Sequence, residues 1–143
     1  MEKTVINILM IEDDTLDVMD AQRTLDRMGI LYIMQVMKNG EEGLAYLEKI
    51  EKDKAHVRPD IILLDLNMPK MNGIEFLQTL RKDDRFKDLK VFVITTSEEK
   101  EDRERTKGLG ISGYIVKPLK FNNPGSIDSF NLMIDLMNIK NKI

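Results

Sequence analysis

The residues able to do chemistry fall at the ends of apolar runs. Ile8 to Ile11 leads into Glu12, Asp13 and Asp14; Ile61 to Leu64 leads into Asp65; Val91 to Ile94 leads into Thr95; Tyr114 to Val116 leads into Lys117. If these runs lie parallel, Glu12, Asp13, Asp65, Thr95 and Lys117 converge on one edge. Carboxylates about 4 Å apart repel by on the order of 4 kcal/mol per pair at an effective dielectric of about 20. Such a group persists only with a cation among it. Hard oxygen ligands suit Mg2+, which keeps several waters and takes one or two carboxylates plus a phosphate oxygen. Lys117 can neutralise part of the charge when no metal is bound. A carboxylate can also act as a covalent nucleophile and become an aspartyl phosphate. The transferring phosphoryl group then needs little beyond cations and donors at its equatorial oxygens. Phosphoryl transfer onto Asp65, with Mg2+, Lys117 and the Thr95 hydroxyl around it, is the chemistry this set supports. Taken singly, each signal has a bland reading: a charged loop with helix caps, a Lys-Pro loop, a strand-end threonine. Their recurrence at successive strand ends sets them apart.

The elements that must position these residues follow from the apolar spacing. Val5 to Ile11 reads as a buried strand broken only by Asn7. Leu16, Val18, Met19, Ala21, Leu25 and Met28 recur at helical spacing, between an N-cap at Asp14 or Thr15 and a stop at Gly29. Ile30 to Met37 reads as a second strand. Leu44, Leu47 and Ile50 mark an amphipathic helix that gives way to a charged loop from Lys49 to Arg58. The run Ile61 to Leu64, bounded by Pro59 and Pro69, reads as a strand buried on both faces. A helix starts at Gly73 and closes at Lys82 to Asp84, and Val91 to Thr95 is a fourth strand. Ser97 is placed to cap a helix over Glu98 to Lys107, broken at Gly108 to Gly110. Tyr114 to Lys117 is a fifth strand, and a last helix runs from about Ser126 to the C-terminus. Strands and helices alternate without a hairpin signal, which predicts an α/β fold: a parallel sheet, helices on both faces, right-handed crossovers. Open sheets of this kind bind ligands at the C-terminal ends of their strands.

Composition bounds the reading. The chain has 143 residues, 42% hydrophobic and 33% charged, which fits one globular domain. A net charge of −3 argues against nucleic acid as a partner. The absence of cysteine excludes a disulfide scaffold and thiolate metal sites. No signal segment or membrane-length apolar stretch occurs, so a cytoplasmic protein with no membrane partner is expected.

These motifs resemble the receiver domain of two-component response regulators. The resemblance spans Ile8 to about Ile139. It rests on Glu12-Asp13-Asp14, on Asp65 with Asn67, Pro69 and Gly73, on Thr95-Thr96-Ser97, and on Tyr114 with Lys117-Pro118. It implies a flavodoxin-like, doubly wound five-stranded sheet of order 2-1-3-4-5. It implies that Asp65 is the phosphoacceptor, charged by a sensor histidine kinase or phosphotransfer protein. Asp13 would bind Mg2+ directly and Glu12 through water, with Asp65 and the Asn67 backbone carbonyl completing the protein ligands. Thr95 and Lys117 would hold the phosphoryl oxygens, and Tyr114 would be the switch aromatic that follows Thr95. The Lys117–Pro118 bond is of a kind that is usually cis in receivers. Within the family the chain looks most like stand-alone, chemotaxis-receiver-like regulators of the phytochrome-partner type, and residues 1–143 are expected to be one receiver domain with no effector domain.

Several features are this chain's own. Thr96 stands where many receivers carry alanine, which predicts narrower access to Asp65 and slower phosphoryl turnover. Glu98 to Lys107 has no large apolar residue, so this helix is either a solvated one held by ion pairs such as Glu101 with Arg105, or a marginal one that is easily displaced. The last helix carries two stripes, Ile127, Phe130, Ile134 and Met137 on one face and Leu132, Leu136, Ile139 and Ile143 on the other. Either both pack on the domain, or one is a surface for a partner or a homodimer. His56, the only histidine, lies in a charged stretch, so the phosphodonor histidine must belong to another protein.

Two other functions fit parts of this set less well. A haloacid-type phosphatase or a Toprim-like nuclease wants a second carboxylate two residues after the first, where this chain has Asn67. A receiver-like module that binds partners without phosphorylation has no need of Asp13, Asp65, Thr95 and Lys117 together. The set favours a phosphoacceptor signalling domain over an enzyme.

Overall fold

A computed structural model describes residues 5–53, 57–119 and 127–140. Five strands and five helices alternate: β1 Ile6–Ile11, α1 Thr15–Arg27, β2 Tyr32–Met37, α2 Gly40–Lys52, β3 Ile61–Leu64, α3 Gly73–Lys82, β4 Val91–Thr95, α4 Lys100–Gly108, β5 Gly113–Val116 and α5 Ile127–Lys140. The sheet is all parallel in the order β2-β1-β3-β4-β5, as the resemblance implies. Strands β3 and β4 are buried along their whole length, which is why they read as unbroken apolar runs.

Two cores flank the sheet because alternate strand residues face opposite sides. Ile6, Ile8 and Met10 pack with Val18, Ala21 and Leu25 of α1 and with Leu132 and Leu136 of α5. Leu9 and Ile11 pack with Leu47 and Ile50 of α2 and with Phe76, Leu77 and Leu80 of α3. A small third cluster, Leu66, Ile74, Val93 and Tyr114, lies beneath the edge where the polar residues gather.

Helix α1 is capped by Asp14, whose side chain accepts from the Leu16 and Asp17 amides, and it ends before Gly29 at φ +68. Helix α3 opens with a reciprocal capping box between Asn72 and Glu75. Several boundaries differ from those read in the sequence. Helix α2 continues to Lys52, past the expected loop start at Lys49, because Ile50 is buried and the acidic first turn and basic last turn suit the helix dipole. Helix α4 starts at Lys100, not Glu98, and its N-cap position, Glu99, makes no side-chain cap bond. Ser97 instead accepts the Glu99 amide and donates to Asp102. Strand β5 stops at Val116, leaving Lys117 just beyond it.

Thr106 is the one buried residue of α4. The ion pair found along it is Lys100 with Glu104 at 3.8 Å, in place of Glu101 with Arg105. On α5, Leu132 and Leu136 are buried and Ile139 packs beside them, whereas Ile134 is 41% exposed. His56, Ser126, Ile143 and the side chains of Ile127 and Phe130 lie outside the described residues.

Candidate functional site: an acidic cluster with a buried lysine

Register brings the acidic residues together. Ile11 pairs with Leu64, so Glu12 and Asp65 leave neighbouring strands at the same level. The Asp65 amide donates to the Ile11 carbonyl at 3.0 Å, and the Glu12 amide to that of Met37 at 2.9 Å. These ladder bonds fix the backbone on which both carboxylates stand. Behind Asp65, Gly73 lies so close that an added Cβ would sit 2.3 Å from the Asp65 carbonyl oxygen. Only glycine fits there.

One carboxylate oxygen each from Glu12, Asp13 and Asp65 lies within 4.8 Å of the other two. Glu12 is 2% exposed, Asp65 6%, and Asp13 faces solvent. Lys117 reaches into the group from the end of β5. Its Nζ donates to Glu12 Oε1 at 2.5 Å and to Asp17 Oδ2 at 2.6 Å, and lies 3.7 Å from Asp65 Oδ2. Burial pushes the Glu12 carboxyl up to about 7, against the Lys117 hydrogen bond, and the charge of Asp65 adds to the rise. Burial pulls the Lys117 ammonium downward, but its bonds to Asp17 and Glu12 and the charge of Asp65 outweigh this and hold it above the ordinary lysine value.

Asp65 Oδ1 is buried and receives no hydrogen bond among the described residues. An unpaired buried acceptor costs about 1–3 kcal/mol, more when charged. An oxygen of that kind, beside two further carboxylates, fits a hard divalent cation. Asn67, two residues on, is exposed in the β3–α3 loop.

Thr95 and Tyr114 meet through Ser97. Thr95 is fully buried, and its hydroxyl accepts the Ser97 amide at 3.3 Å. Tyr114 is buried too; its hydroxyl donates to the Ser97 carbonyl at 2.9 Å, and the Arg103 guanidinium lies 4.6 Å from its ring centre. The Lys117–Pro118 bond is cis, as the resemblance implies.

The expected residues thus form two connected groups: Glu12, Asp13, Asp65 and Lys117 at the edge, and Thr95 with Tyr114 at the end of β4 and on β5. Sequence reasoning missed Asp17. Its signal was its place on the first turn of α1, three residues after the Asp14 N-cap and beside the edge that Glu12 and Asp13 enter. Arg103 was also missed, having been read as part of a charged helix.

Residues 8–123 match the family model of the response regulator receiver domain. The probable methanogenesis regulatory protein FilR2 of Methanothrix harundinacea (strain 6Ac) is 31% identical over 114 residues, 80% of this chain and 73% of FilR2. Among solved structures, the Mn(2+)-bound form of response regulator Rcp1 aligns with a TM-score of 0.74 and 26% identity, over 98% of this chain and 97% of that one. The bacteriophytochrome response regulator AtBRR aligns with a TM-score of 0.76 and 30% identity, over 93% of each chain.

Proposed function

The chain belongs to the response regulator receiver family, a phosphoacceptor signalling domain of two-component systems, and on that premise we propose that Asp65 is the acceptor. Receiver domains work with histidine kinases or phosphotransfer proteins and bind a divalent metal through an acidic cluster; they are signalling domains and not conventional enzymes. In the reaction we assign, an Asp65 carboxylate oxygen forms a bond to phosphorus. The bond between phosphorus and the donor histidine nitrogen breaks, and that nitrogen keeps the electron pair. Glu12, Asp13, Asp65 and the Asn67 carbonyl are the ligands we assign to Mg2+, which when bound supplies positive charge to the transferring phosphoryl oxygens. Lys117 neutralises a further oxygen, and the Thr95 hydroxyl donates to another. The bond from Ser97 to Thr95 is then given up, and Tyr114 and α4 respond because both are tied to Ser97.

The output we assign is a change in partner binding or in homodimerisation through the last helix, where Ile134 is exposed beside the buried Leu132 and Leu136. The similarity to a bacteriophytochrome response regulator supports a phytochrome-type kinase as the donor's class. No helix among the described residues is long and apolar enough to cross a membrane. The observation that carries the acceptor assignment is the buried, unpaired Asp65 Oδ1 within the carboxylate group. Incubation with Mg2+ and acetyl phosphate should yield an acid-stable, hydroxylamine-labile adduct that is absent in Asp65→Asn. An adduct that persists in that variant sinks the assignment.

A further inference from the structure

Lys117 is anchored by residues other than the acceptor. Its ammonium makes two short charge-assisted bonds, to Glu12 at 2.5 Å and Asp17 at 2.6 Å, while Asp65 at 3.7 Å is beyond hydrogen-bond reach. The two anchors are not equivalent. Glu12 belongs to the trio of carboxylates spaced to share a cation; Asp17 does not. A carboxylate engaged with a divalent cation has less to offer an ammonium, so Asp17 is the anchor that remains when the cluster is loaded. Its position is set by the chain itself, because the Asp14 cap that starts α1 accepts the Asp17 amide. At 29% side-chain exposure it stands at the rim, against 10% for Lys117 and 1% for Glu12.

The geometry points to Asp17 as a positioning residue for Asp65: it holds the Lys117 ammonium at a standoff, so that the acceptor carboxylate stays open to metal and phosphoryl group. This rests on the acceptor assignment above. Without Asp17, the ammonium closes the 3.7 Å gap and pairs with Asp65 directly. That pairing neutralises the nucleophile and sets a cation against the incoming metal.

The direct test is the 15N resonance of the Lys117 ammonium in metal-free protein. Asp65→Asn should leave it nearly in place in the wild-type background and move it in the Asp17→Asn background; equal shifts in both overturn the proposal. The second test measures Mn2+ affinity by electron paramagnetic resonance and the rate of phosphorylation by acetyl phosphate at saturating Mg2+. Asp17→Asn should weaken Mn2+ binding and also slow the saturated rate, each on the order of tenfold, the scale of one charge-assisted bond. Asp17→Glu, which keeps the charge on a side chain one methylene longer, should recover most of both. Asp20→Asn, which removes an exposed carboxylate from the same helix, should change neither. Weaker Mn2+ binding with an unchanged saturated rate is a plain charge effect and overturns the proposal. If wild-type protein forms no adduct, the acceptor assignment fails, and the resonance still decides what holds the lysine.

Discussion

Gly73→Ala joins fold and site in one substitution. The added methyl would lie 2.3 Å from the Asp65 carbonyl oxygen, 2.7 Å from Leu66 Cα and 3.1 Å from the Asp65 carbonyl carbon. All three are backbone atoms, so no side chain can rotate away. Ordinary carbon contacts lie near 3.5–4.0 Å, and the segment that carries Asp65 must retreat by roughly 1 Å. Two costs follow. Overpacking of this kind destabilises by about 1–3 kcal/mol, and disturbing the Asn72–Glu75 capping box beside it adds about 1 kcal/mol. Displacing a reacting group by about 1 Å costs roughly 100-fold in rate. Urea unfolding at neutral pH should therefore show a loss of about 2–4 kcal/mol. Adduct formation from acetyl phosphate, run where the variant is fully folded, should fall by roughly two orders of magnitude. Gly108→Ala is the control: it ends α4, nothing lies within 4 Å of its Cβ position, and it should be neutral or stabilising by up to about 1 kcal/mol. A Gly73→Ala protein within about 0.5 kcal/mol of wild type and phosphorylated at a similar rate would refute the claim that this contact fixes Asp65.

Glu12 has its folded value raised to about 7 from 4.5, so the native state of metal-free protein binds its proton more tightly than the unfolded chain. The stability from this group is full below about 4.5 and is lost as pH rises through about 7, by up to about 3 kcal/mol; urea melts in chelator between pH 5 and 8 should show the slope, and Glu12→Gln should flatten it. Thr96 is exposed beside the buried Thr95, and Thr96→Ala should shorten the acyl-phosphate lifetime severalfold; an unchanged lifetime counts against a shielding role. Amides of α4 should exchange with solvent much faster than those of α1, since α4 buries only Thr106 whereas α1 buries Val18, Ala21 and Leu25. On α5, Ile134→Glu should change stability by less than about 0.5 kcal/mol yet abolish, in size-exclusion runs, the self-association proposed for phosphorylated protein. Leu136→Ala, in the buried stripe, should cost about 2–5 kcal/mol.

What was readable in the chain is what strands write in one dimension. The unbroken run Ile61 to Leu64 and its neighbours announce strands buried on both faces, and parallel register then carries Glu12 and Asp65 to the same level without further information. Helix ends were less legible where burial overrode local signals, as at Ile50 in α2, or where a cap side chain bonded elsewhere, as Ser97 does with Asp102. Least legible were polar contacts made by long side chains across the fold. Arg81 looks like an ordinary cation in the last turn of α3, yet its guanidinium donates to the carbonyls of Lys87, Leu89, Leu109 and Gly110, tying two loops together. The choice of Lys117 between Asp17 and Asp65 is of the same kind. Side-chain reach and competition decide it, and spacing does not encode them.

Ser97 would link a shallow α4 to the proposed acceptor, Asp65. It offers its amide to Thr95, its hydroxyl to Asp102 and its carbonyl to Tyr114, so three groups on three elements depend on where one residue sits. In the proposed reaction, drawing the Thr95 hydroxyl toward the phosphoryl group would release the amide. The other two bonds then have to be remade, not merely lengthened, because hydrogen bonds weaken steeply with poor geometry. Moving a helix that buried a full apolar stripe would cost several times what those bonds can return. Helix α4 buries little beyond Thr106 and leans on Tyr114 through Arg103, so in the proposed switch a rearrangement worth only a few hydrogen bonds would be enough to shift it. On the proposed role of Asp65, the missing apolar face of α4 is what would let phosphorylation there reach the surface.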